Sequence, residues 1–438
     1  MIPVIQSIWW LIVLIAGMIL LHEAGHYWFA RLFDVRIDTF SFGFGPRLFG
    51  FRRGETDFRF SLILFGGYVR MAGEVPGDES ASDPRSFLRK PRWQRLIILF
   101  AGPFMNLVLA VGILTGLFMW HYEKPADSTP VIGYLAPNGP AEKAGIQDGD
   151  KIVQVDNNFN PSWEDIQIRE AASVNRPMDV WVERGGRRQR IALTPDLDKK
   201  SGLGFAGWEE EFDQIAAIVP GMPAENAGLR LGDVLLKVDG QPVLSTPHLQ
   251  QLINSGNGKP VSVTYMRGGK PGTLTLAPKR GTLDGGPERW IIGVGLEPRT
   301  VVTRLSLPEA LMASMQQNKK FATVMFQFLG GVIERRISPK SVLAGPIGIA
   351  QASRTAAQEG PVQFLGLMSM VSLNLAIFNL LPIPILDGGT IMLLLLEMVM
   401  RRDLSLQVKE TVFKLGFVFL MAVVVFAIYN DISRIIPG

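Results

Sequence analysis

The sequence predicts an α-helical polytopic membrane protein with four transmembrane helices, the third one broken, a membrane-re-entrant β-sheet, and two external α+β domains. Three observations predict it. The 438-residue chain is apolar, with 47% hydrophobic against 19% charged residues and a mean hydropathy of +0.21. Four apolar stretches approach the roughly 20 residues that a helical span needs. Between the second and third of these, one motif occurs twice, which marks tandem domains.

The first span runs from about Val4 to Phe29, within an element at 1–33. No Lys or Arg precedes Arg31, so the basic start of a signal peptide is missing and a retained span is expected. The span ends in Leu-Leu-His-Glu-Ala-Gly-His-Tyr-Trp-Phe-Ala, residues 20–30. His22 and His26 are four apart, so on a helix they share a face and can grip one ion. Glu23 stands beside the first of them, placed to act on an attacking water rather than on the metal. Ionisable groups inside a span are costly, and function is their default reading. The chain has no cysteine, which excludes disulfides, thiolate metal sites and a cysteine nucleophile. A metal must therefore be held by His, Asp or Glu, and two imidazoles suit zinc. The formal net charge of +4 is unremarkable, and no nucleic-acid partner is expected.

Residues 34–94 form the β region. Asp57 to Leu62 alternates in polarity, and Arg36 to Phe42 and Arg47 to Phe51 supply further strands around Gly43-Phe44-Gly45-Pro46. Gly66-Gly67 reads as a turn before Tyr68 to Met71. The stretch Leu62 to Phe65 is too apolar for an exposed hairpin, so the sheet is expected to dip into the membrane, with Phe58 to Leu64 as an edge strand beside the histidines. A second span follows at 95–121.

The external region contains the repeat. Ala141, Gly145, Gly149, Asp150 and Asp156 recur as Ala224, Gly228, Gly232, Asp233 and Asp239. The pattern P-x-x-P-A-x-x-A-G-[IL]-x-x-G-D resembles circularly permuted PDZ domains, expected at 127–197 and 198–280. Such domains take up peptide ends or strands by β-augmentation; a spacer or shield is equally compatible with the sequence. Gly202-Leu203-Gly204-Phe205 looks like a carboxylate-binding loop of the second unit, and His248 lies early in a helix that borders the same groove. Residues 281–361 are expected to hold a linker and an amphipathic helix over Leu307 to Arg336.

The third span, 362–400, is too long for one straight helix. Two prolines, Pro382 and Pro384, forbid a regular helix and predict an extended break. Irregular backbone at membrane depth is tolerated only in a protein interior or at a polar cavity, which marks a site. Asp387 follows the break and is the favoured third metal ligand, able also to N-cap the second half-helix. Glu397 is the rival, deeper in the span. A fourth span is expected at 411–432. Arg and Lys residues cluster after the first and third spans, which puts those loops in the cytoplasm and both termini outside.

HEAGH in the first span, Asn379-Leu380-Leu381-Pro382-Ile383-Pro384-Ile385-Leu386-Asp387-Gly388 in the third, and the tandem repeat between them together resemble the site-2 protease family of intramembrane zinc metalloproteases. The resemblance covers nearly the whole chain. It implies one zinc ion per chain held by His22, His26 and Asp387, with Glu23 as the catalytic base. It implies substrate contact at Asn379 and Asn374, at Pro382 and Pro384, and at Gly43, Gly45, Gly66, Gly67 and Tyr68 of a re-entrant β-loop. Leu343 to Gly348 resembles the family's substrate-gating segment. The implied partners are the lipid bilayer and a single-span membrane protein, such as an anti-sigma factor trimmed outside the membrane or a signal-peptide remnant. The implied setting is a bacterial inner membrane with the PDZ pair in the periplasm, serving envelope stress signalling. The competing reading is a membrane-anchored peptide sensor with a structural metal; a closed structural site needs four protein ligands, and the sequence offers three at one depth.

Overall fold

A computed structural model describes residues 2–74, 82–125, 130–198, 201–281, 288–297, 300–342 and 345–435. The chain divides into two compact units. One comprises Met1–Tyr122, Arg304–Phe326 and Val342–Gly438; the other comprises Glu123–Thr303 and Gln327–Ser341.

In the first unit, α1 (Ile2–Leu32) and α2 (Arg92–Trp120) are long apolar helices. After the repeat region, which holds α3 (Trp163–Ala172) and α4 (Thr246–Ser255), α5 (Leu307–Ile333) has its part up to Phe326 in this unit. Then follow α6 (Pro346–Glu359), α7 (Pro361–Leu380), α8 (Asp387–Met400) and α9 (Leu406–Ile435). Among the described residues, four helices are long and apolar enough to cross a membrane: Val4–Leu32, Arg92–Trp120, Pro361–Leu380 and Leu406–Ser433. The chain is a membrane protein. α7 is a full-length span by itself, and the expected break follows it at 381–386 before α8 resumes.

α2 packs against α1, α7 and α8, which makes it the central helix of this unit. Small residues and hydroxyls let the helices approach closely: Ser369 and Ser372 on α7 donate to the Ala110 and Asn106 carbonyls of α2, at 2.9 and 2.8 Å. α9 is held to α6 by Asp431, whose carboxylate accepts from the Gly345, Ile347 and Gly348 N–H groups at 3.0, 2.9 and 3.0 Å. It thereby satisfies the orphan donors of the α6 N-terminus. These residues belong to the stretch Leu343 to Gly348 expected above as a gate, of which Leu343 and Ala344 lie outside the described residues.

The β region is one sheet made from two long bent strands, β1 (Ile37–Arg53) and β2 (Thr56–Met71). Phe40 pairs with Val69 on one side and with Phe58 on the other; Phe51 also pairs with Phe58, and Phe49 with Phe60. Residues 57–60 therefore lie between two neighbours. The expectation that Phe58 to Leu64 forms the edge fails at 58–60: the outermost stretches are 67–71 and 47–53, and on the first of these the Val69 and Met71 N–H groups bond Glu23 and Glu74. Gly66-Gly67 is not a turn either. β2 continues through it, bent at Gly66 (φ 139°), and the hairpin turn lies at Gly54 (φ 62°). Phe44, Leu48, Phe49, Phe51, Leu62 and Ile63 are exposed, an apolar surface suited to lipid.

The second unit holds both repeats. The first contains α3 (Trp163–Ala172) and a four-stranded sheet, around a core that includes Ile132, Ile152, Ile166, Val180 and Leu193. The second contains α4 (Thr246–Ser255) and a sheet around Ile215, Leu235, Leu249, Ile253 and Val263. The repeated positions have matching roles. Asp150 and Asp233 are each buried at 1% exposure and meet Arg184 and Arg267 at 2.6 Å. Gly149 and Gly232 turn the chain at φ 83° and 84°, where a side chain is strained.

Two boundaries move. Ala206 and Trp208 pack in the first core, and Trp208 pairs with Leu135, so the Gly202 to Phe205 loop belongs to the first domain rather than the second. The second domain runs on past residue 280: Ile292, Val294 and Leu296 complete its core, where a linker was expected. His248 is half-buried but does not line the second groove; it faces Asp148 of the first domain.

Candidate metal centre

The late part of α1 carries His22 and His26 one turn apart, both buried. Their Nε2 atoms are 3.3 Å apart. Asp387, the first residue of α8, completes a triangle: Oδ2 lies 3.2 Å from His22 Nε2 and Oδ1 lies 3.4 Å from His26 Nε2. The cap of α8 is Leu386, so Asp387 sits inside the helix rather than capping it. A tetrahedral ion with N and O ligands at about 2.0–2.1 Å requires roughly 3.3–3.4 Å between donor atoms. The imidazole pair matches, each carboxylate oxygen stands at that distance from one ring, and one donor atom from each side chain lies within 4.8 Å of the others, so the residues present fit a zinc ion held by three protein groups, with a fourth position for water.

The break before Asp387 is folded tightly. Ile385 adopts φ 86°, a costly conformation for a β-branched residue, and the Leu386 N–H donates to the Ile383 carbonyl at 3.1 Å. A Cβ on Gly388 would lie 2.3 Å from the Leu381 oxygen, and one on Gly389 would lie 2.4 Å from the Ile383 oxygen. These two glycines let the loop fold back onto α8. Glu397 is not a ligand: at 2% exposure it pairs with Lys409 at 2.6 Å and accepts from the Leu404 N–H at 3.0 Å.

Glu23 is buried beside the triangle. It receives the Val69 backbone N–H, and its side chain lies against Gly67, where a Cβ would approach Glu23 Cγ to 3.0 Å. The outer edge 67–71 thus runs along the site. Tyr68 lies on that edge, stacked on Phe44 and bonded by Arg59. Gly43 and Gly45 sit at the bend of β1, with φ 93° and 86°, where a Cβ on Gly43 would lie 2.8 Å from the Ile63 oxygen. Asn374 and Asn379 occupy the last turns of α7, half-buried, and Pro382 and Pro384 lie in the break.

α2 supplies groups that the sequence reading missed. The Ile98 carbonyl accepts from His26 Nδ1–H at 2.8 Å, and the Asn106 amide lies 3.2 Å from His22 Nδ1. Between them, a Cβ on Gly102 would lie 2.3 Å from His26 Nε2 and 2.8 Å from His22 Cε1. Ile98, Gly102 and Asn106 are four apart and form one face that cradles both rings. The available signal was an asparagine inside a span, a costly residue there. A cavity of about 460 Å³ is lined by Asp387, Glu74, Thr390, Arg95 and Lys409 set among mostly apolar side chains such as Phe87, Leu99, Leu394 and Phe413.

The sequence profile of peptidase family M50 matches residues 10–423. A protein of Xylella fastidiosa (strain Temecula1) named "Putative zinc metalloprotease" is 32% identical, over 98% of this chain and 99% of its own. The regulator of sigma-E protease RseP of Escherichia coli (strain K12) is 30% identical, over 97% of this chain and 98% of its own. Among solved structures, the PDZ domain of the SdrC-like protein from Listeria monocytogenes covers 20% of this chain and 87% of its own, at 23% identity and a TM-score of 0.17.

Proposed function

The chain belongs to peptidase family M50, the site-2 proteases, and is a zinc metalloprotease; from that premise we infer that it cuts single-span membrane proteins within the bilayer, with Glu23 as general base. The observation that carries this reading is the triangle of His22, His26 and Asp387, with Glu23 beside it inside a bundle of apolar helices. When bound there, zinc supplies the Lewis acidity that makes water nucleophilic near neutral pH. Glu23 takes the proton of the attacking water and returns it to the leaving amide nitrogen.

A substrate helix hides its peptide bonds in its own hydrogen bonds, so it must unwind before attack. The outer edge 67–71 accepts the unwound segment by strand addition, a role supported by its place against Glu23, whose bond from the Val69 N–H the incoming strand replaces. Asn379, with Asn374, holds the segment from the α7 side, and Pro382 and Pro384 shape the wall opposite the edge. The substrate class is the trimmed anti-sigma-factor type, in an inner membrane with the PDZ pair outside.

The PDZ domains divide the work. In the first, the Glu170 carboxylate fills the groove: it accepts from the Ala206 N–H at 2.6 Å and the Trp208 indole at 2.7 Å. In the second, Ile253 stands at the equivalent position and the groove remains open as a cavity of about 360 Å³, lined by Pro247, Leu249, Ile291 and Arg289. The second domain is therefore the one suited to a peptide end, and the first acts as a shield.

The test is Glu23→Gln in the full chain, with cleavage of a membrane-embedded single-span substrate and zinc content both measured. Loss of cleavage by at least roughly 100-fold with zinc retained is expected. Undiminished cleavage would remove Glu23 as the base.

A further inference from the structure

We propose that Asn106 is a positioning residue for the metal: its side-chain amide presents its oxygen to His22 Nδ1–H and so holds His22 in the tautomer whose Nε2 faces the ion. The argument begins with protons. Both Nε2 atoms point at each other and at Asp387, so Nε2 is the ligating atom of each ring. A neutral imidazole carries one N–H, and a ring that ligates through Nε2 must carry it on Nδ1. Both rings are buried, so each Nδ1–H requires an acceptor.

For His26 the acceptor is the Ile98 carbonyl, a group that can only accept. For His22 the neighbour at Nδ1 is the Asn106 side-chain amide, 3.2 Å away. Turning the NH2 end of that amide toward Nδ1–H sets donor against donor. It also leaves Asn106 Oδ1 buried with no donor of its own. The two ends of an amide have the same shape and are told apart by hydrogen-bond chemistry. A half turn gives the oxygen a donor and gives His22 its acceptor, at the cost of a buried NH2 in the oxygen's former place.

The backbone supports this role. Asn106 is fully buried, and its carbonyl accepts from Ser372 on α7, which fixes the asparagine against rotation of α2. Gly102, one turn before it, leaves room for both rings. Partners of this kind on ligating histidines typically govern metal affinity by 10- to 100-fold.

The inference rests on the three-ligand reading, which Asp387→Ala tests separately by loss of zinc; a failure there is distinct from a failure here. The experiment compares purified full-length protein with Asn106→Leu and Asn106→Asp, reading zinc affinity by chelator competition alongside cleavage. Leucine has nearly the same size and no acceptor, and zinc affinity is expected to fall roughly 10- to 100-fold. Aspartate can only accept, and it is expected to bind zinc at least as tightly as the parent. Wild-type affinity in Asn106→Leu would overturn the proposal. So would an Asn106→Asp protein that binds zinc at least tenfold more weakly than the parent, since the amide would then be acting as a donor. If the leucine variant does not fold, the aspartate comparison alone decides.

Discussion

Gly102 contributes no side chain, and that is its part in the site. A methyl group there would enter the space of both imidazoles, so Gly102→Ala is expected to lower zinc affinity at least as much as loss of a hydrogen-bond partner, roughly 10-fold or more. Zinc content of the purified variant checks it, beside Asp387→Ala, which removes one of the three proposed ligands and is expected to release the ion. His22, Glu23, His26 and Asp387 were legible in the sequence because ionisable groups in apolar spans stand out. Ile98 and Gly102 were not, because a backbone carbonyl and an absent side chain carry no chemical signature. Asn106 was visible as a residue, but its partner lies 84 positions away.

At the scale of elements, the β region separates what periodicity gives from what pairing gives. Alternation in 57–62 announced a strand, yet it could not say that 39–42 and 49–51 would flank that strand on both sides. Which strand ends at an edge is settled by long-range pairing and by the bend at Gly66. The edge 67–71 is the one that touches Glu23, so Val69→Pro, which removes the edge N–H that Glu23 accepts, is expected to lower cleavage at least roughly tenfold with zinc retained. Phe49→Pro on the opposite free edge is the control and should leave cleavage much less affected. Equal effects, or full activity in Val69→Pro, would oppose strand addition at 67–71. The break in the third span followed from Pro382 and Pro384, whereas the left-handed Ile385 came only from the packing of Gly388 and Gly389 against the loop.

At the scale of the whole molecule, the tandem repeat conceals two unlike domains. Burial pushes the Glu170 carboxyl up to about 7 from an ordinary 4.5, even though the Ala206 N–H and the Trp208 indole favour its charged form. The folded domain then holds a proton that the unfolded chain releases above about pH 4.5. Stability from this group is present below that pH and is lost as pH rises toward 7. Glu170→Gln is therefore expected to flatten that dependence and to protect residues 204–208 more at pH 8 than at pH 5, by on the order of 2–3 kcal/mol in amide exchange. Unchanged pH dependence would remove Glu170 as its source. The repeat itself was readable because Gly149-Asp150 and Gly232-Asp233 obey one local rule: a left-handed turn followed by a buried aspartate paired to a distant arginine. Its groove contents were not, since Glu170 and Ile253 differ at a position whose neighbours come from a strand far along the chain. By itself the sequence determined the long apolar helices, the break, the duplicated domain and the residues of the candidate metal centre, because hydrophobicity, proline and ionisable side chains act locally. Only the tertiary structure decided which strand edge meets Glu23, which helix cradles the imidazoles and which groove stays open, because those depend on contacts between segments that no local pattern encodes.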